Sequence, residues 1–259
     1  MTNWNKLQPR YEKKAYRIVQ KHIKLILDRI PVDNTNLNNY EIIIELNIHK
    51  EEVFKMFLEL YNTIGIDYGN RVNKDLEKVT KANTLFNDYL LKEILLFLSN
   101  EGGIKITSVR DTLIQDVIKS IKDGLGDNAT VIDLRNALYA IISKSQTFYK
   151  YQALRIARTE TTSASNFASF KTAQNSELLL DKVWISVQDN RTRRTPFDHY
   201  YIDGVVQELE QPFYLGGSDY LQYPGDIKGQ PADVINCRCT LNYKPRRDAE
   251  GNLILKNRI

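Results

Sequence analysis

The sequence predicts an α+β protein: an N-terminal helical region followed by a small mixed α/β domain with a short antiparallel sheet. Three observations lead there. Apolar residues recur at helical spacing through the first half of the chain. Five of the seven prolines and six of the twelve glycines fall between Pro196 and Gly251. Short alternating runs bounded by turn residues occur in that same C-terminal stretch. With 259 residues the chain suffices for one large domain or two modest ones. The expected division is a helical, partner-binding region over 1–147, a compact domain over 148–245 and a basic tail over 246–259.

Taken in order, Tyr11, Ala15, Ile18, Val19, Leu25, Ile26 and Ile30 follow one helical face, and Pro31, with no N–H to extend the ladder, stops it. Val53, Phe54, Phe57, Leu58, Leu60 and Tyr61 repeat the pattern over Glu51–Ile64. Further helices are expected over Thr84–Leu98, Val109–Ile121 and Val131–Ile142. Asn100-Glu101-Gly102-Gly103 and Gly124-Leu125-Gly126-Asp127 form the breaks between them. Short connections favour antiparallel packing of successive helices. From Tyr149 to Gln174, Ala153, Ala157, Ala164 and Ala168 accompany Leu154 and Phe167, so this long helix can admit another backbone closely.

Downstream, Val183, Ile185 and Val187 alternate with Lys182, Trp184 and Ser186, which reads as a strand. Asp203-Gly204 lies between Tyr200-Tyr201-Ile202 and Val205-Val206 and predicts a type I′ hairpin. Val234-Ile235 and Thr240–Tyr243 offer a further strand.

Composition narrows the function classes. A hydrophobic share of 42% and a charged share of 26% are ordinary for a globular protein. The net charge of +4 is far from that of a dedicated nucleic-acid-binding domain. No apolar run approaches the roughly 20 residues of a membrane span, and Met1–Arg10 lacks a signal-peptide core. Synthesis and assembly in a cytoplasm are expected.

Cys237 and Cys239 are the entire thiol content. One intervening residue would strain a disulfide between them. They read as packing, as a thiol site or as half of a metal site. Buried packing thiols are the favoured reading and no cofactor is expected. The alternative is zinc held by Cys237, Cys239 and His199. His22 and His49 belong to the helical half and carry no assigned role.

Arg158 and Glu160 stand two apart, so on a helix they diverge. Arg158 is expected to pin a loop through Asp189 or Asp226. Arg191, Arg193 and Arg194 form a basic cluster suited to phosphate, or to salt bridges with Asp189 and Asp198. Gly204, Gly225 and Gly216-Gly217 read as turn requirements.

Six motifs then occur in order: Arg158-Thr159-Glu160; Trp184; Asp189-Asn190-Arg191-Thr192-Arg193; His199 with Asp203-Gly204; Pro224-Gly225-Asp226; and Asn236-Cys237-Arg238-Cys239. This set, over Tyr151–Tyr243, resembles the phage Mu F-like family of minor head, or head morphogenesis, proteins. One departure is Arg194–Asp198, which lengthens the loop before His199. The resemblance implies a structural minor capsid component of the virion without catalytic residues, made in the host cytoplasm and placed at the portal vertex. Its implied partners are the portal protein, other head proteins and, non-specifically, packaged DNA, and it would support head assembly, DNA packaging or DNA ejection. The rival reading is a zinc-dependent hydrolase or nuclease built on His199, Cys237 and Cys239.

Overall fold

The computed structural model describes residues 3–80, 86–126, 128–143, 149–216 and 219–256. Thr84, Asp127, Gly217, Arg258 and the expected boundary at 147 lie outside the described residues.

The first helix, α1 (Trp4–Leu27), starts before the predicted Tyr11 and contains Pro9, with Asn3 accepting from Lys6 N–H as its cap. It buries Trp4, Leu7, Tyr11, Ala15, Val19 and Ile26 and ends just ahead of Pro31. A short helix not foreseen in the sequence follows, α2 (Tyr40–Asn47). Helix α3 (Lys50–Leu60) does not stop near Ile64. It passes through a π turn (Tyr61–Gly65) into α4 (Ile66–Thr80). Helices α5 (Phe86–Asn100), α6 (Gly103–Gly124) and α7 (Val131–Ser143) occupy the expected segments and extend a few residues beyond the apolar pattern. No helix among the described residues is long and apolar enough to cross a membrane.

Helix α8 (Lys150–Asn175) is the axis of the molecule, flanked by α1 and α4. Its small residues act as the sequence suggests. At Gly65, in the π turn, a Cβ would stand 3.1 Å from Ala164 O. One turn later, at Gly69, it would meet Leu90 at 2.6 Å and Thr172 Oγ1 at 3.2 Å. The helices touch where both chains are nearly bare, which brings the backbones close.

Beyond α8, β1 (Leu180–Ile185) is the centre of an antiparallel sheet between β2 (Val206–Glu208) and β5 (Thr240–Pro245). Trp184 stands opposite Leu241, and Val183 opposite both Asn242 and Val206. A second ribbon pairs β3 (Phe213–Tyr214) with β4 (Tyr220–Leu221). The α+β expectation holds, with two local corrections.

Tyr200-Tyr201-Ile202 is not a strand. Residues 199–204 are turns, Gly204 takes φ +77°, and the following strand pairs with β1 rather than with 200–202. Asp203 Oδ1 accepts from Ser186 N–H at 2.7 Å, and Gly204 N–H donates to Trp184 O at 2.8 Å. The Asp-Gly pair therefore reverses the chain onto β1. Val234 closes a one-turn helix, α9 (Pro231–Val234), and Ile235 lies beyond it, so neither belongs to a strand.

After β5 the chain folds back along the start of β1. Leu179 N–H bonds to Ile254 O, and Arg246 pairs with Asp181 and Glu208. A continuous apolar core runs from α1 through α8 to Trp184, Phe213 and Leu241.

Candidate functional site

Residues Asn236 to Cys239 link α9 to β5, and one polar stripe of α8 holds them. Thr159, Thr162 and Asn166 recur at helical spacing on that face. Thr159 Oγ1 accepts from Asn236 N–H at 3.0 Å, and Thr162 Oγ1 donates to Cys237 O at 2.5 Å. Asn166 donates to Cys239 O at 3.0 Å and accepts from Leu241 N–H at 3.2 Å. All three side chains are buried. Asn236 adopts φ +57°, a left-handed conformation that asparagine tolerates. It turns the chain so that the cysteines on either side of Arg238 both face inward.

There they meet His199. Its Nδ1 lies 3.7 Å from Cys237 Sγ and 3.6 Å from Cys239 Sγ, and all three residues are buried. On the other side of the ring, Nε2 faces Asp233 Oδ1 at 3.2 Å. Trp184 packs edge-on against the imidazole, with ring centroids 5.4 Å apart. The hydrogen bond from Cys239, with His199 assisting, holds the Cys237 thiol well below the ordinary range. The same Cys239–Cys237 contact and burial push the Cys239 thiol up. Burial, reinforced by Asp219, raises the Asp233 carboxyl to about 6.

The remaining motif residues surround this cluster. Asp189 takes Arg238 in a two-pronged ion pair at 2.7 and 2.6 Å, which draws its carboxyl far below the usual range. Arg193 donates to Ile235 O. Arg191 is 3.7 Å from Asp189 and 71% exposed, while Arg194 stacks over Tyr200, so only Arg191 of this run bridges to Asp189 among the pairs seen. Asp198 accepts from Thr195 Oγ1. Asp226 accepts from the Gln222 and Lys228 N–H groups, and burial raises its carboxyl. Gly225, at φ +81°, lies so close to α8 that a Cβ would stand 3.0 Å from Ser163 N and Cα, and Ser163 Oγ donates to Gly225 O.

Glu160 is buried and pairs with Lys105 of α6 at 2.9 Å, with Tyr61 Oη also near. Burial raises its carboxyl despite that lysine.

Arg158 corrects the expectation made for it. It reaches neither Asp189 nor Asp226. It lies 3.6 Å from Glu12 of α1 and is 42% exposed. Asp189 is already taken by Arg238, and Asp226 by backbone N–H groups. Arg158→Ala should therefore change stability by no more than about 0.5 kcal/mol. Urea unfolding checks this, and a loss of several kcal/mol would show a buried role that the contacts do not reveal.

Sequence reasoning missed Lys105, Asp233, Lys182 and the Thr159–Thr162–Asn166 stripe. Only the stripe left a readable signal: polar residues at helical spacing inside an otherwise alanine-rich helix.

Fold and site together define the class: a helical scaffold joined to a small β domain, whose motif residues bind one another and the backbone. A family model described as Phage Mu protein F like protein matches residues 111–242. The match spans just over half of the chain, which belongs to this family of phage head morphogenesis proteins. It reaches back from Tyr151, where the motif resemblance begins, into α6 and α7. No curated protein and no solved structure matches the chain.

Proposed function

We propose that the chain is a minor head protein that docks at the portal vertex through its helical half and supports head assembly and DNA packaging or delivery. Family membership supports the phage-head setting. The observation that carries the docking surface is a set of large apolar side chains left open on the helices. Ile42 and Leu46, one turn apart on α2, are 60% and 64% exposed, and Ile104 at the start of α6 is 80% exposed. Leu91 and Leu95 repeat the spacing on α5, and Ile132 and Tyr139 face outward on α7. Phe54, Leu98, Ile104 and Ile106 line a broad groove between α3 and α6. Large apolar side chains left open beside an apolar groove mark protein contacts.

Several copies around one portal ring would reinforce weak single contacts. Contact with packaged DNA belongs to the same reading, through Arg191 at the rim of a second groove that Arg158 and Arg193 also line.

The test is particle incorporation. Ile42→Asp/Leu46→Asp and Ile104→Asp should fold as the parent does, yet enter procapsids at about a tenth of its level, the equivalent of about 1.4 kcal/mol of lost binding. A wild-type chain absent from procapsids and virions, or variants incorporated normally, would overturn the proposal.

A further inference from the structure

The geometry points to a structural zinc site: we propose that His199 Nδ1, Cys237 Sγ and Cys239 Sγ bind one zinc ion, with a single water as fourth ligand. The three atoms lie within 4.8 Å of one another, and all three residues are buried. Zinc bonds of about 2.3 Å to sulfur and about 2.0 Å to nitrogen, set at the tetrahedral angle, place S and N about 3.5 Å apart. The observed separations are 3.6 and 3.7 Å. Both sulfur–nitrogen separations thus already match those of a tetrahedral site.

The surroundings match a metal better than they match packing. Asp233 sits on His199 Nε2 at 3.2 Å. A carboxylate there fixes the tautomer that leaves Nδ1 free to ligate, the usual outer partner of a zinc-bound histidine. The indole N–H of Trp184 is buried against Cys239, a donor placed beside the sulfur that would carry thiolate charge. Charge also balances. On binding, both thiols release their protons to solvent, and two thiolates with a neutral imidazole cancel the ion's two charges.

The fourth position faces a small, partly open recess. Thr192, Arg193 and Asn236 wall a cavity of about 10 Å³ against the three ligands. That is close to the room one water needs. Three protein ligands and a water are the usual arrangement of a catalytic zinc, yet the space beside these ligands has room for about one water. The ion is therefore assigned to the fold: it ties the turn carrying His199 to the loop that enters β5.

The experiment uses the full chain purified without chelators. Metal analysis should find about one zinc per chain, and cobalt(II) replacement should give thiolate-to-metal charge transfer with the intense visible bands of a tetrahedral site. Cys239→Ser and His199→Ala should lose the metal. Should they fail to fold, Asp233→Asn, which touches no ligand bond, should retain metal but bind it about 10- to 100-fold more weakly in competition with a chromogenic chelator. Folded wild-type chain that carries no zinc, gives no cobalt–thiolate band and keeps its melting temperature in chelator would overturn the site. Asp233→Asn binding zinc as tightly as wild type would overturn the outer-partner role.

Discussion

Lys105→Met is expected to destabilise the folded chain by about 3–5 kcal/mol at pH 7, because it leaves Glu160 buried without its cation. The pair spans α6 and α8 at 2.9 Å, and Lys105 also donates to Ser163 Oγ at 2.9 Å, beside the Gly225 contact. Without the lysine, the long hydrogen bond from Tyr61 Oη remains as a weak offset to the burial that already raises the Glu160 carboxyl. The group then folds in its neutral form, and the proton it must take up costs more as pH rises. The loss should accordingly shrink toward pH 5, where protonation is easier. Lys105→Met/Glu160→Gln should recover a large part of the stability, since replacing both charges removes the stranded ion. Urea unfolding of the four-member cycle at pH 5 and pH 7 measures this. A single-variant loss below about 1 kcal/mol would show that water reaches Glu160.

The second large effect concerns Lys182, which lies in the interior of β1 with no exposed surface. Its Nζ donates to Gln222 O at 2.9 Å and Gln222 Oε1 at 2.5 Å, and sits 4.9 Å from the Phe170 ring centre and 5.3 Å from that of Phe213. Burial lowers its pKa from 10.5 to about 8. Below pH 8 both folded and unfolded chains carry the proton and stability is flat in pH. Between about 8 and 10 only the unfolded chain holds it, so this group adds up to about 1.4 kcal/mol of stability per pH unit. Tyrosines with raised pKa values act in the opposite sense at the alkaline end. The quantity to follow is therefore the difference between wild type and Lys182→Met. That difference should move in favour of wild type by about 3 kcal/mol from pH 7 to pH 10. A difference constant with pH would show that the buried amine keeps its ordinary proton affinity.

Both residues mark where reading the chain alone runs out. Helices α5 to α8 were legible because their apolar periodicity is strong and glycines punctuate it. Helix α2 was not, since Ile42, Ile43 and Ile44 run consecutively and Ile42 faces out. The apolar pattern is readable from Tyr11, yet α1 starts at Trp4 and takes in Pro9. In β1 the alternation is visible, yet the buried face includes Lys182 and Trp184, because Gln222 and two aromatic rings accept the ammonium. The Asp-Gly signal located a turn correctly and named the wrong partner strand. Residues 200–202 are used to carry His199 inward, a demand that no local spacing reveals. At the site, the three candidate ligands were readable as types and the structure brings them together. Their supports were not: Asp233 and the α8 stripe act over 34 to 77 residues of chain, where no periodicity reaches.

The indole of Trp4 donates to the carbonyl of Arg238 at 2.8 Å, across 234 positions of sequence. On a ribosome moving at roughly 5–20 residues per second, the first helix therefore waits on the order of ten to fifty seconds for its partner to be made. For most of that interval its apolar face lacks α8, and to the end of it lacks the cysteine loop. The newborn chain is thus exposed to self-association and to chaperones for most of its synthesis, and its last-made stretch sets the moment at which the earliest one becomes safe.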